Sequence, residues 1–123
     1  MRPEDRDVAY LFDMLECCKD IISFTSNVSF SQFASEKMRR LATERRLETL
    51  GEAANRVSVA RQAALPNIDW ARIVGLRNKL AHDYGEVLAE RVWLIAVQHV
   101  KELRAQLEAI EDLADARAEI EQD

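Results

Sequence analysis

The sequence is poor in the residues that interrupt helices. Its 123 residues include only three glycines and two prolines, so few positions favour tight turns. It also lacks the apolar–polar alternation that is typical of β-strands, and it contains no repeat or low-complexity segment. These absences predict an all-α fold. The length suits one domain, which we expect to span residues 1–123 with an acidic tail from about residue 115.

The sequence also has no long apolar run. No stretch approaches the roughly 20 apolar residues that a membrane-spanning helix needs. The N-terminal residues MRPEDRDVAYLF do not have the pattern of a signal peptide. We therefore expect a cytoplasmic protein without a membrane anchor.

Cysteine and histidine are scarce, with two residues of each. Cys17 and Cys18 are adjacent, and a disulfide between neighbouring positions of a helix would be strained. We therefore expect both to be small buried apolar groups. No cluster of cysteine and histidine has the spacing of a zinc site, and the sequence predicts neither a metal nor a cofactor.

The net charge of −5 hides an uneven distribution. Residues 36–85 carry ten basic and six acidic side chains, whereas residues 1–35 and 86–123 are both acidic. A basic middle between acidic ends can attract an anion locally. A solvated helix face explains the same charges equally well.

The spacing of apolar residues predicts an up-and-down bundle of four to five helices. A first helix covers about residues 5–24, and a second begins after a cap at Ser35 and reaches about Val59. Gly51 lies inside the second helix, where it costs about 1 kcal/mol relative to alanine. Its presence indicates close packing against another helix or a partner chain. The apolar positions of this helix are Met38, Leu41, Ala42, Leu47, Leu50, Ala54 and Val57.

Two further helices follow the second. A third begins at Trp70 with Asp69 as its N-cap, and it should stop near Gly85, the natural left-handed residue after a helix. A fourth runs from about Leu88 to Ala114.

The segment GLRNKLAHDYGEV, residues 75–87, brings Arg77, His82 and Tyr84 together. On one continuous helix Arg77 and Tyr84 share a face, whereas His82 is rotated about 140° from Arg77. For these two side chains to converge, either the helix unwinds before His82 or a second copy completes the site across a two-fold axis. A converged imidazole and guanidinium could move a proton and stabilise the developing charge of a phosphate.

A simpler interpretation stands beside the catalytic one. A single histidine at a helix end is more often a cap or a hydrogen-bonded surface group than a catalyst. His99, on the apolar stripe of the fourth helix, we interpret as structural. Trp70 and Trp93 are best explained as core or interface aromatics.

The motif resembles that of a known family. RNKLAHDY places an arginine, four residues, a histidine, one residue and a tyrosine in the order that is the signature of HepT-like proteins of the HEPN superfamily. RRLETLGEAANRVS, residues 45–58, resembles the second-helix signature of that family, and LPNIDWARIVGLRNKLAHDYGEV resembles its motif-bearing segment. The resemblance covers nearly the whole chain, from about Val8 to Leu113.

The resemblance implies a metal-independent ribonuclease toxin of a prokaryotic, type VII-like toxin–antitoxin pair. It implies a helical bundle that acts as a homodimer, with an MNT-type minimal nucleotidyltransferase as antitoxin. Arg77 and His82 fall on the family's catalytic positions, and Asn78 matches a residue common after the arginine. Tyr84 falls on the tyrosine that the partner adenylylates in some members, which would place AMP where RNA phosphates must approach. Lys79 and Asp83 occupy variable positions of the motif.

A second hypothesis belongs to a different class. In it the protein is a non-catalytic HEPN module that binds a nucleotide or RNA and serves as the partner and substrate of the nucleotidyltransferase. Cleavage of RNA in EDTA, and its loss in His82→Ala, would separate the enzyme from the binding module.

Overall fold

The computed structural model describes residues 2–113, and its regular structure is helical throughout this range. The predicted all-α class is confirmed. The expected acidic tail and the predicted end of the last helix at Ala114 lie outside the described residues. In chain order the elements are α1 (Pro3–Thr25), α2 (Phe30–Ser35), α3 (Lys37–Arg56), α4 (Val59–Ala64), α5 (Trp70–Val74), α6 (Leu76–Ala81), α7 (Gly85–Leu94), a π-helical turn (Ile95–His99) and α8 (Val100–Glu108).

The core lies where α1 packs against α3 and α8. Its largest fully buried side chains include Leu11, Leu47 and Leu107, one from each of these helices. Burial of each such side chain stabilises the fold by about 1.5–3 kcal/mol. The first helix therefore forms as its apolar spacing predicts, because one stripe of it faces two other helices.

The two cysteines are buried free thiols, as predicted. Burial raises the pKa of Cys17 to about 11 and that of Cys18 to about 12. Because the thiolate is the reactive form, both residues behave here as apolar packing groups.

The second predicted helix forms as α3, but its start differs from the prediction. Ser35 does not cap it, because Ser35 ends α2 and Glu36 precedes α3. The serine that caps a helix in this region is Ser29, whose Oγ accepts a hydrogen bond from the backbone N–H of Gln32 at 3.1 Å.

Two of the apolar positions of the predicted helix, Met38 and Leu41, do not face the core. They are 87% and 50% exposed, respectively. The buried face of α3 instead contains Thr43, Leu47 and Leu50. Thr43 can occupy a fully buried position because its hydroxyl donates to the carbonyl oxygen of residue 39 at 2.8 Å.

The third predicted helix is broken into α5 and α6 at Gly75. Its start is as predicted, since the Asp69 carboxylate accepts a hydrogen bond from the backbone N–H of Arg72 at 3.2 Å. The predicted end near Gly85 is wrong, because α6 ends at Ala81. Gly85 does adopt a positive φ of 56°, but it is the first residue of α7 and not the residue after α6.

The fourth predicted helix corresponds to α7, the π-helical turn and α8 together. Val92, Ala96, Leu103 and Leu107 are buried, as its stripe predicts. His99 is only half-buried, outside the core. Within residues 2–113, no helix is both long enough and apolar enough to cross a membrane.

Candidate active site at the end of α6

Helix α6 is held to the fold by two leucines. Leu76 and Leu80 are buried, and they lie four residues apart on one face of this short helix. Arg77, Asn78 and Lys79 lie between them in sequence and are exposed. The apolar anchor therefore directs the polar residues of the motif toward solvent.

Helix α6 ends just before His82, and the chain becomes extended by Tyr84. Ala81 is the last residue of α6, and His82 follows it with φ −90° and ψ −9°. Tyr84 is fully extended, with φ −136° and ψ 157°. Because His82 itself keeps right-handed helical angles, the backbone does not turn its side chain toward Arg77, and the convergence of these two side chains stays a prediction. The expectation that Arg77 and Tyr84 share a face of one helix is wrong, because the helix ends before Tyr84.

An ion pair fixes the loop between α6 and α7. The Asp83 carboxylate, whose side chain is only 15% exposed, pairs with the Arg91 guanidinium of α7. The backbone N–H of Asp83 also donates to the Leu80 carbonyl oxygen at 3.3 Å. Asp83 was interpreted from the sequence only as a variable position of the motif. In the structure, Asp83 lies between His82 and Tyr84, and its ion pair with Arg91 fixes this part of the loop to α7.

The three signature side chains are exposed and available to a ligand. Arg77 and His82 are exposed, and Tyr84 is 81% exposed. Within residues 2–113, no hydrogen bond or ion pair engages any of these three side chains. At this exposure the Tyr84 ring is not buried against α7, and its phenol is accessible.

Gly51 determines how closely the motif segment approaches α3. A Cβ atom at this position would lie 3.0 Å from the carbonyl oxygen of Ile73 and 3.8 Å from the Cβ of Leu76. The neighbouring Ala53 and Ala54 are also buried. The close contact predicted from Gly51 is thus made by α5 and α6 of the same chain. Gly51 consequently gives no support to a contact with a second copy.

A second group of polar side chains lies beside the motif. The Nη2 atom of Arg72 is 2.6 Å from the Nε2 atom of His99. Burial, and next the positive charge of Arg72, lower the pKa of His99. Lys79 of α6 lines a cavity of about 290 Å³ together with both residues. Sequence reasoning missed this cluster, since Arg72 and His99 are 27 residues apart and no local spacing connects them.

No group of three or more His, Cys, Asp or Glu side chains suited to a metal ion occurs in the part of the chain that the structure describes.

The chain is all-α, and its exposed Arg77, His82 and Tyr84 lie at or just after the end of one short helix. These features agree with the class of protein that the motif predicts, the HepT-like proteins. The family model described as ribonuclease HepT-like matches residues 14–110. This match covers far more than half of the chain, so the protein belongs to the HepT-like family.

The chain is also similar to named proteins over most of its length. It is 36% identical to "Putative RNase MJ1380" and 35% identical to "Putative RNase MJ1216", both from Methanocaldococcus jannaschii, over 106 residues. These alignments cover 85% of this chain and 97% and 88% of the two relatives. It is 29% identical over 101 residues to "Probable ribonuclease HepT" of Thermococcus cleftensis, which covers 82% of this chain and 92% of that protein. No solved structure matches the chain.

Proposed function

We propose that this protein is an endoribonuclease that cleaves RNA without a metal ion. The observation that carries the proposal is the exposed Arg77–His82 motif at the end of α6, in a chain of the HepT-like family. The names of the three relatives, each an RNase or ribonuclease, support the same reaction.

The reaction that we propose is an internal transesterification. His82 accepts the proton of a ribose 2′-hydroxyl, and the 2′-oxygen forms a bond to the adjacent phosphorus. The bond from phosphorus to the 5′-oxygen breaks, and this oxygen takes the proton back from the imidazolium. The products are a 2′,3′-cyclic phosphate and a 5′-hydroxyl. Arg77 neutralises the charge that develops on the phosphate oxygens, and Asn78 next to it is the supporting residue.

The test is cleavage of an unstructured RNA by purified protein in EDTA. His82→Ala should slow cleavage about 10²- to 10⁴-fold, which is the usual contribution of a general acid–base. Arg77→Ala should slow it about 10²- to 10³-fold through lost charge stabilisation. Arg45→Ala is a matched control, because Arg45 is an exposed arginine of α3 that pairs only with nearby Glu48. Equal cleavage by wild type and His82→Ala, or none by either, would reject the enzyme.

We also propose that this ribonuclease is the toxin of a toxin–antitoxin pair and that Tyr84 is its off-switch. An MNT-type nucleotidyltransferase would transfer AMP from ATP to the phenol oxygen, which loses its proton, and pyrophosphate would leave. Each further AMP would be added in the same way to a ribose hydroxyl of the preceding AMP. The 81% exposure of Tyr84 supports this proposal, since a transferase needs an accessible hydroxyl. The added phosphate would place negative charge next to a motif that has to receive RNA phosphates.

Intact-mass spectrometry after co-expression with the cognate nucleotidyltransferase tests the switch. We expect added AMP on wild type and on Tyr10→Phe, and none on Tyr84→Phe. Tyr10 is a suitable control because its ring is half-buried in α1. An unchanged mass, or a modification that persists in Tyr84→Phe, would reject it. A protein that is modified but never cleaves RNA would be the binding module of the second hypothesis.

A further inference from the structure

A cleft between α5, the π-helical turn and α8 is not used by the proposed reaction. It consists of two adjoining cavities of about 200 Å³ and 290 Å³ that share Arg72, Ile95 and His99. The first cavity is lined by apolar residues such as Ile73, Leu76 and Leu103 and, in equal number, by polar residues that include Asp69 and Glu102. Lys79 of α6 lies in the second cavity. The cleft thus combines an apolar pocket with positive charge.

The positive charge in this cleft is not neutralised by a direct ion pair. A guanidinium can only donate hydrogen bonds, so the Nε2 atom of His99 accepts from Arg72 and the imidazole is neutral. Neither Arg72 nor Lys79 forms an ion pair with a carboxylate of residues 2–113. The cations of Arg72 and Lys79 therefore lie near a neutral imidazole. Once His99 gains a proton, all three side chains could donate hydrogen bonds to a bound anion.

The charged groups around His99 come from several elements. Arg72 of α5 and Lys79 of α6 lower the pKa of His99, whereas Glu102 of α8 opposes them. Glu90 of α7 also lines the second cavity, and Arg91 beside it is already paired with Asp83. The cations come from α5 and α6, whereas the acidic groups lie on α7, on α8 and at the start of α5, where Asp69 lines the first cavity.

We propose that this cleft is a nucleotide subsite for the RNA strand, in which Arg72, Lys79 and His99 bind a backbone phosphate and the apolar cavity takes the adjoining base. This inference rests on the proposed ribonuclease function and names how its substrate is held. A cavity of about 200 Å³ is smaller than the roughly 300–1,000 Å³ of sites for drug-sized ligands. A single unstacked base is therefore the fragment that suits it.

Polar groups at the edge of the apolar cavity suit the edge of a base. The Gln106 amide nitrogen donates to the backbone carbonyl oxygen of Asn67 at 2.8 Å. This hydrogen bond fixes the Gln106 side chain, and both Gln106 and Asn67 line the cavity. Recognition of single-stranded RNA commonly combines burial of an unstacked base with hydrogen bonds to its edge.

The cleft adjoins the catalytic motif through Lys79. His82 follows Lys79 by three residues and keeps right-handed helical backbone angles, so the two side chains leave α6 on neighbouring sides. A strand whose phosphate is bound at Lys79 therefore continues toward His82. The subsite would position RNA for cleavage and would take no part in the proton transfers.

The experiment measures binding of AMP, GMP, CMP and UMP to the full chain by NMR titration, with inorganic phosphate as a separate probe. In wild type we expect saturable binding, accompanied by a rise of about 1 to 3 in the pKa of His99 as it gains an anionic neighbour. Arg72→Gln should weaken nucleotide binding about 10- to 100-fold, which is the usual effect of losing a charge-assisted hydrogen bond. Arg45→Gln, on α3, is the matched control and should bind like wild type.

Two outcomes would overturn the subsite. One is nucleotide binding that is equal in wild type and Arg72→Gln, or absent from both. The other is inorganic phosphate binding as tightly as the nucleotides, because the apolar cavity would then contribute nothing. If Arg72→Gln fails to fold, the wild-type protein alone still decides the test, because an unchanged pKa of His99 at saturating nucleotide would also reject the subsite.

RNA cleavage separates this inference from the proposed function. Arg72→Gln should raise KM for RNA about 10-fold or more and leave kcat within about 2-fold, because the phosphate contact acts mainly on binding. If no variant cleaves RNA but wild type binds nucleotides through Arg72, the subsite stands and the ribonuclease proposal fails.

Discussion

Asp83 and His99 show how a single residue acquires its role from the tertiary fold. Asp83 holds the loop between α6 and α7 by pairing with Arg91, and His99 accepts a hydrogen bond from Arg72. Neither partner lies within one helical turn in sequence. The roles of both residues therefore depend on how the helices pack, which no local pattern encodes.

The depressed pKa of His99 predicts a pH dependence of stability. Because the folded protein binds a proton at this ring less readily than the unfolded chain, the unfolded chain takes up more protons as the pH falls. The free energy of unfolding should therefore decrease as the pH drops below about 6.5, the unfolded value of histidine. Above that pH the ring is neutral in both states and contributes no slope.

Denaturant titrations of wild type and His99→Gln between pH 8 and pH 5 would measure this effect. The carboxylates titrate in both proteins, so the difference between them isolates the imidazole. We expect wild type to lose more stability than His99→Gln as the pH falls. Parallel curves, or a steeper loss in the variant, would contradict the lowered pKa of His99, to which burial contributes most and the charge of Arg72 next.

At the scale of helices, the contact between α3 and the junction of α5 and α6 positions the motif. Gly51→Ala adds a Cβ 3.0 Å from the carbonyl oxygen of Ile73, which is tighter than ordinary packing. Alanine would improve helix propensity by about 1 kcal/mol, but overpacking typically costs about 1–3 kcal/mol. We expect a net loss of about 1 kcal/mol in the free energy of unfolding, measured by urea denaturation.

Asn55→Ala supplies the matched control for this substitution. Asn55 is exposed on α3, so alanine there gains helix propensity without a new contact. It should be neutral or slightly stabilising. Stability of Gly51→Ala at or above that of wild type would show that the carbonyl of Ile73 can move away at little cost.

The helices that the sequence predicts best are those with a long apolar stripe. α1 and α3 were predicted over nearly their full lengths, because burial of one face repeats every three to four residues. The breaks at Gly75 and at the π-helical turn were not predicted. Both depend on packing against other elements, and glycine is compatible with a helix as well as with a break in it.

The candidate site was predicted in part. The sequence identified Arg77, His82 and Tyr84, all three of which are exposed in the structure, whereas the two stated ways for Arg77 and His82 to converge stay predictions. It did not identify the Arg72–His99 cleft, because residues 27 apart on different helices share no periodicity. The catalytic roles of Arg77 and His82 remain predictions that the cleavage assay tests.

At the scale of the whole molecule, α7 offers a surface for assembly. Val87 and Leu94 are 57% and 50% exposed and lie seven residues apart, which places them on the same side of the helix. Exposed Tyr84 directly precedes α7. A two-fold contact along this side would bring two copies of the motif together, as the homodimer implied by the resemblance requires. Because Val87 and Leu94 also line the second cavity of the cleft, such a contact would place that cavity at the edge of the interface between the two copies.

Light scattering at micromolar concentration tests this assembly. We expect a dimer for wild type and a monomer for Val87→Glu, because a charge buried at an interface without a partner is costly. Val59→Glu, at an 83% exposed position of α4, should remain a dimer. A monomeric wild type would reject the homodimer, and a dimeric Val87→Glu would reject α7 as its interface.

The short helix α6 is also a separate unit of local stability. Two buried leucines anchor its six residues, and it lies between the break at Gly75 and the loop that begins at His82. Such a segment can open while α1 and α3 remain folded, at a free energy well below that of global unfolding. Amide hydrogens of α6 should therefore exchange with deuterium sooner than those of α1. On warming, the protein would then lose the arrangement of Arg77 and His82 before it loses its fold, so the temperature limit of activity would be set by this one helix.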